Sequence, residues 1–400
     1  MRIGLLKEEK KPADERVVLT PQQCKVFKTI YTNIDLVVMS SDIRCFSDEL
    51  YRESGVEVVN DLSDCDILLG VKEVPKNLLI PNKKYCYFSH TIKKQEYNRE
   101  LLLKMIGLNI TMIDYEILKD TKGRRLLGFG RYAGIVGAYN GFLTYGLKSG
   151  RYKLKPANKC FDRLEMEGEL EKINLKDEKI IITGNGRVGN GIMEIMKRIN
   201  IREVSKEDFA NQIFDEAVFV HLDTMDYNVR INGSESFKSE FYDYPELYRS
   251  SFMDYAKYAD IFIAGHYYGT GSPYLFTRED AKSKLFNLKV IADISCDIDG
   301  PVASTIRPST INSPIYGYNP ETETEDDFMK EGVVAVMAVD NLPCELPKDA
   351  SEDFGNEMLE KILPILINGD NHKTIADATI CEKGDLTTSF EYLRDYINGN

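Results

Sequence analysis

Over the first hundred or so residues, short apolar runs alternate with amphipathic stretches: RIGLLKE, QQCKVFKTI, IDLVVMS, CFSDELYRES, DILLGVK, YCYFSH, NRELLLKMIG and then NITMID. Alternation of this kind predicts an open, mainly parallel sheet with covering helices. The same style restarts at Lys179 with KIIITG and a helix near 188–199. It continues through FVHL near 219–222, a helix near 245–258, DIFIAG at 260–265, a helix near 277–285 and KVIADIS at 289–295. The chain therefore reads as two α/β units.

Between the units, RYAGIVGAYNGFLTYGLKSGRY (131–152) carries small residues and aromatics at helical spacing without proline, which predicts a bridging helix despite the cost of its glycines. Beyond 300, the acidic run ETETEDD (321–327) reads as a solvated loop, VVAVMAVD (333–340) as a buried strand and FGNEMLEKILPILING (354–369) as a helix interrupted by Pro364. The C-terminal segment is expected to return to the first unit. Residues 225–247, polar and aromatic, have no pattern that assigns them.

Four hundred residues at 43% hydrophobic and 29% charged suffice for two or three domains, which excludes a single small binding module. The formal net charge of −13 argues against nucleic acid or an acidic membrane surface as partner, while leaving room for a basic pocket that binds a small anion. No run reaches the roughly 18 apolar residues of a membrane span, and the opening MRIGLLKEEKK is too short in apolar residues for a secretory signal, so a cytoplasmic location is expected. The eight cysteines lie far apart without a C-x-x-C pair, which favours reduced, packed thiols. Four histidines with no Cys/His cluster at ligand spacing predict no structural metal.

The most informative motif is KIIITGNGRVGNGIMEIMKRI (179–199), where an apolar strand runs into Gly184, Gly186 and Gly189 and then a helix. Dinucleotide binding requires this context: one glycine for the tight turn, one for approach to the pyrophosphate, one for helix packing, and a helix N-terminus facing the anion. An acidic residue at the end of the next strand normally binds the ribose. IREVSKE (201–207) is read as that strand, offering Glu203, Ser205, Lys206 and Glu207.

In the first unit, Arg16 precedes a helix start at Thr20-Pro21 and is open to two readings, a surface charge or a substrate cation. DILLGVKEVP runs a buried strand into Lys72 and Glu73, and YCYFSHTIKKQ ends another at His90. Ligands of such sheets bind at the carboxyl ends of strands, so Lys72 and His90 would form an acid/base pair at one rim. A structural histidine is the bland alternative.

With KPADERVVLTP, GVKEVP, FSHTIKKQ, DYEILKDTKGRRLLGFGRYAG, the glycine turn, ADISCDIDGP and VDNLPCELPKDASEDFG, the chain resembles lysine-forming saccharopine dehydrogenase and the related lysine-ketoglutarate reductase domain, within the broader alanine dehydrogenase and transhydrogenase group. The resemblance implies two Rossmann-like domains with parallel sheets and an active site in the cleft between them. The dinucleotide-binding domain (133–315) would be inserted into a discontinuous substrate domain (1–132 and 316–400). It implies interconversion of saccharopine with L-lysine plus 2-oxoglutarate, using NAD(H) or NADP(H).

By the same motifs, Lys72 is the implied general base and His90 the implied acid/base. Arg16, Gln95, Arg125, Phe129, Gly265, His266 and Tyr267 are implied substrate contacts. Arg124, Gly184, Gly186, Arg187, Gly189, Ser205, Asp293, Ile294 and Ser295 are implied cofactor contacts. Glu73 and Glu116 would tune the catalytic pair or merely balance charge. A substrate with three carboxylates needs placed cations in a protein this acidic, and arginine's planar fork suits carboxylates.

Two departures stand out. Val188 occupies a place where some relatives have cysteine, which removes one possible disulfide. Ser205 lies near where NAD-specific relatives have aspartate, so NADP(H) should be tolerated and NAD(H) stays open. The rival readings are an alanine-dehydrogenase-like amino-acid dehydrogenase and a catalytically inactive cofactor-binding regulator. Intact Lys72, His90, Arg16 and Arg125 weigh against the second. Oligomeric state is not legible in the sequence.

Overall fold

A computed structural model describes residues 1–9, 11–269 and 271–399. The chain divides into two compact units, Met1–Phe129 with Pro347–Asn400, and Gly130–Leu346. The second is thus inserted into the first. Its far boundary lies well beyond the expected 315, because residues 316–346 contain strands that belong to the inserted unit's own sheet.

In the first unit, β1 (Arg2–Leu5), β2 (Asp35–Met39), β3 (Glu57–Val59), β4 (Ile67–Lys72), β5 (Lys84–Phe88) and β6 (Thr111–Asp114) pair in parallel in the order β3-β2-β1-β4-β5-β6. This is the doubly wound order, whose switch point lies between β1 and β4. Successive residues of a strand face opposite sides, so Ile67, Leu69 and Val71 enter one buried layer while Leu68 enters the other. Helix α1 (Pro21–Ile30) starts from a reciprocal cap between Thr20 and Gln23, with Pro21 in its first turn, and buries Cys24 and Phe27. Helix α2 (Glu96–Gly107) leads into β6.

The inserted unit begins with α3 (Gly130–Ser149), the helix expected near 131–152. Its sheet comprises β7 (Lys179–Thr183), β8 (Arg202–Glu203), β9 (Val218–Leu222), β12 (Ile261–Ala264), β13 (Val290–Asp293), β14 (Ile315–Asn319), β15 (Thr324–Asp326) and β16 (Val334–Met337). β7 runs into α4 (Arg187–Ile199), and Ser205 caps the short α5 (Lys206–Asn211). The glycines of α3 allow contact with α4 at backbone distance. A Cβ on Gly134 would fall 2.0 Å from the Val188 carbonyl oxygen, and one on Gly191 2.0 Å from that of Arg131. Helix propensity is sacrificed here for close approach.

The inserted sheet runs β15-β14-β16-β13-β12-β7-β9-β8. Both sheets are mainly parallel, as expected, with antiparallel strands at one end: β14 and β15 close one, and β17 (Thr379–Glu382) and β18 (Asp385–Leu386) close the other beyond β6. Part of the acidic run 321–327 is therefore the edge strand β15 rather than a loop, a position where charged side chains discourage further pairing.

The helix expected near 245–258 shrinks to Met253–Ala256, because Tyr248–Ser250 forms β11. It pairs antiparallel with β10 (Asn228–Arg230), so the unassigned 225–247 becomes a small excursion with the short helix Lys238–Asp243. Helix α6 (Pro347–Glu357) continues through a π-helical turn at Met358–Ile362 into Leu363–Asn368, with Pro364 in the first turn of that last segment. Among the described residues no helix is long and apolar enough to cross a membrane.

Candidate active site

In the first unit Lys72 and His90, the residues expected to act as acid and base, stand where two neighbouring parallel strands end. Lys72 closes β4, and His90 follows β5 in a left-handed conformation, φ 56°. His90 Nδ1 lies 3.7 Å from Glu73 Oε2, and Asn98 Nδ2 donates to the His90 carbonyl at 3.2 Å. Behind the histidine, Asp114 accepts from the Ser89 amide (3.1 Å) and hydroxyl (2.5 Å), and burial raises its carboxyl above the ordinary value. Glu116 instead pairs with Arg125 (3.1 Å) and Lys93 (3.8 Å).

Arg16 is not the surface charge that one reading allowed: its side chain is 3% exposed. Asp14 holds it in a fork, Nη2 to Oδ2 at 2.6 Å and Nε to Oδ1 at 2.9 Å. The guanidinium lies 4.2 Å from the centre of the Phe129 ring, which stacks on Phe354 at 4.4 Å. Burial works against the Asp14 carboxylate, but the charge and hydrogen bonds of Arg16 outweigh it and hold the carboxyl below its ordinary value. Arg124 is exposed and paired with Asp120 at 2.7 Å. Gln95 precedes α2 and accepts from the Tyr97 hydroxyl at 2.7 Å.

In the inserted unit the glycine turn follows β7. Gly184 takes φ +97° and has no room for a side chain, since a Cβ would sit 2.2 Å from the Gly265 oxygen. A Cβ on Gly189 would sit 1.8 Å from the Gly184 oxygen, whereas one on Gly186 would meet nothing within 4 Å. The closed turn, the open approach over Gly186 and the amino-terminal end of α4, starting at Arg187, fit a dinucleotide phosphate.

Across the switch point, between β7 and β12, lie Gly265, His266 and Tyr267. Tyr267 is 81% exposed, while His266 is buried with Nδ1 2.8 Å from Thr183 Oγ1, and burial lowers its pKa to about 4. Asp293, at the end of β13, accepts from the Ser295 hydroxyl (2.7 Å) and the Thr305 hydroxyl (2.7 Å), and Ile294 donates to the Ala264 carbonyl at 3.1 Å.

Ser205, expected at the ribose, stands as a helix cap after β8. Its hydroxyl accepts from the Asp208 amide at 3.0 Å, and β8 is an edge strand. The strand beside β7 is β9, and the residue that leaves it is Asp223, which the sequence reading missed. Lys238 Nζ donates to Asp223 at 2.7 Å, the Thr224 amide at 2.8 Å, and Asn185 of the glycine turn also donates. Burial opposes ionisation, and these donors outweigh it, keeping the carboxyl below its ordinary value. The available signal was the apolar run FVHL ending in an aspartate.

Known proteins carry the same arrangement of segments. Alpha-aminoadipic semialdehyde synthase of Arabidopsis thaliana is 28% identical over 98% of this chain and 41% of its own length, and that of Mus musculus is 26% identical over 98% and 47%. The chain thus spans less than half the length of these two relatives. Saccharopine dehydrogenase (NAD(+), L-lysine-forming) of Schizosaccharomyces pombe is 26% identical over 90% of this chain and 92% of its own. Among solved structures, an L-alanine dehydrogenase shares the fold with a TM-score of 0.66 at 17% identity, covering 99% of this chain and 100% of the other. The N-terminal domain model of alanine dehydrogenase/PNT matches residues 4–136 and the C-terminal domain model residues 179–389, so the chain belongs to the alanine dehydrogenase/PNT family.

Proposed function

We propose that the protein interconverts saccharopine with L-lysine plus 2-oxoglutarate, exchanging hydride with a nicotinamide dinucleotide. The observation that carries this reading is the placing of Lys72 and of the His90–Glu73 couple at the carboxyl ends of adjacent strands. Likeness to relatives bearing the saccharopine dehydrogenase name along nearly their whole length supports the substrate.

When bound, the nicotinamide ring accepts or supplies the hydride. In the saccharopine-forming direction, Lys72 takes a proton from the lysine ammonium so that the free amine attacks the oxo carbon, and supports loss of water from the carbinolamine. His90 donates the proton that the secondary amine gains. Arg16, fixed by Asp14, and Arg125 bind substrate carboxylates beside Gln95 and Phe129. Gly265, His266 and Tyr267 line the substrate, and Asp293 to Ser295 the cofactor. Gly184, Gly186, Arg187 and Gly189 hold the pyrophosphate, with Arg124 as a further cofactor contact. Asp223 takes the ribose role expected of Ser205, which favours NAD(H) over NADP(H).

Purified protein mixed with lysine, 2-oxoglutarate and NADH should oxidise the cofactor. Turnover only with ammonium and pyruvate would assign it instead to the alanine type, and cofactor binding with no turnover of any pair would make it a regulator.

A further inference from the structure

The end of β4 departs from a regular strand. Its register against β5 shifts between Leu69 and Lys72, and the Val71 and Lys72 amides both point at one side chain. In a regular strand consecutive amides point to opposite sides, so a bulge-like irregularity is needed for one group to collect two in a row. That group is Glu8, in the segment after β1. Its Oε1 accepts from the Val71 amide at 2.7 Å and its Oε2 from the Lys72 amide at 2.9 Å.

The placement has a simple cause. β1 pairs with β4 only as far as Leu5 opposite Leu69, with the Leu6 amide reaching the Leu69 carbonyl at 2.8 Å. β4 runs three residues further, and the carboxylate of Glu8 replaces the missing strand. Glu8 therefore stands at the switch point of the first sheet, the place where such sheets bind their ligands.

We propose that Glu8 is a positioning residue for Lys72: by binding the last two amides of β4 it fixes the bulge that aims the lysine at the substrate. This rests on the reading of Lys72 as the base.

Both oxygens accept well only when the carboxyl is ionised, so the hold on β4 tightens as Glu8 loses its proton. The titratable and charged groups that act on Glu8 include Asp14 and Arg16 on the segment after β1 and the Tyr115 phenol after β6, while Lys72 on β4 meets it through its backbone amide. Burial pushes the Glu8 carboxyl up to about 8, the amide bonds and Arg16 pull it down, and Asp14 adds to the rise. The switch between loose and tight thus falls close to neutrality.

The test uses the full chain. Glu8→Gln keeps the size but presents an amide donor to one of the two backbone donors and cannot ionise. It should lower kcat about tenfold or more, the equivalent of one lost hydrogen bond, with KM for NADH unchanged. It should also abolish a limb of the kcat profile that rises through pH about 8.

A second measurement needs no variant. In the wild type, hydrogen exchange at the Val71 and Lys72 amides, corrected for intrinsic base catalysis, should become more protected through the same pH range. A Gln variant with wild-type kcat and pH profile would overturn the proposal, as would wild-type exchange without that pH step. If the wild type turned over no amine and oxo-acid pair, the functional reading would fall, while the amide measurement would still decide whether Glu8 holds the end of β4.

Discussion

Lys72 and His90 reach the same rim by different means: one as the last residue of a bulged strand, the other as a left-handed residue just past its neighbour. Both were legible in the sequence because an apolar run that stops at a titratable residue marks a carboxyl end. Glu73, which faces His90, was legible too, as a group that would tune the pair or balance charge. The clamp on Arg16 was not: Asp14 holds it from two residues away, a relation that depends on backbone path rather than on composition. Lys72→Met and His90→Gln should each lower turnover by about 10²–10⁴, the usual contribution of a general acid or base, with NADH affinity unchanged. Titration calorimetry for NADH beside steady-state kinetics across pH checks this. Wild-type turnover with an unchanged profile in both variants would remove the two residues from the mechanism.

At the scale of elements, most strands were foreseen and one neighbour relation was not. Reading the glycine strand, its helix and IREVSKE as consecutive neighbours assumes that chain order is sheet order. Here two residues suffice for β8, and it is displaced to the edge by β9. The alternation of apolar and polar residues shows that a strand exists, not which strand it pairs with, since pairing is decided by non-local hydrogen bonds. In the proposed function the ribose contact therefore goes with the neighbour, to Asp223 rather than Ser205. Asp223→Ser should raise the ratio of kcat/KM for NADPH to that for NADH by about ten- to hundredfold, as expected for removing a charged hydrogen-bond acceptor that also repels the 2′-phosphate. Ser205→Ala should leave that ratio unchanged while losing a helix cap at a cost of about 1 kcal/mol. The reverse pattern in the two ratios would return the ribose site to β8.

For the whole molecule, the two-unit plan with an inserted second unit was legible, but that unit runs to Leu346 rather than 315: β14, β15, which lies in a run that reads as solvated loop, and the buried strand β16 all belong to its sheet. The segment after Pro347 completes the first unit in two ways: Phe354 stacks on Phe129 within the apolar layer that contains Phe88 and Tyr115, and β17 pairs with β6. A chain ending at Leu346 should keep the unfolding transition of the inserted unit, lose that of the first and scatter light on warming. Two intact calorimetric transitions in the truncated chain would contradict this. The insertion also imposes a schedule on synthesis. As the polypeptide leaves the ribosome, β1 to β6 emerge first but wait with the open edge of β6 exposed until the whole intervening unit has been translated. That edge is a template for any other strand. A nascent chain of this design is therefore most exposed to mispairing, and to rescue by a chaperone, during translation of residues 130 to 378, well after its first sheet has been made.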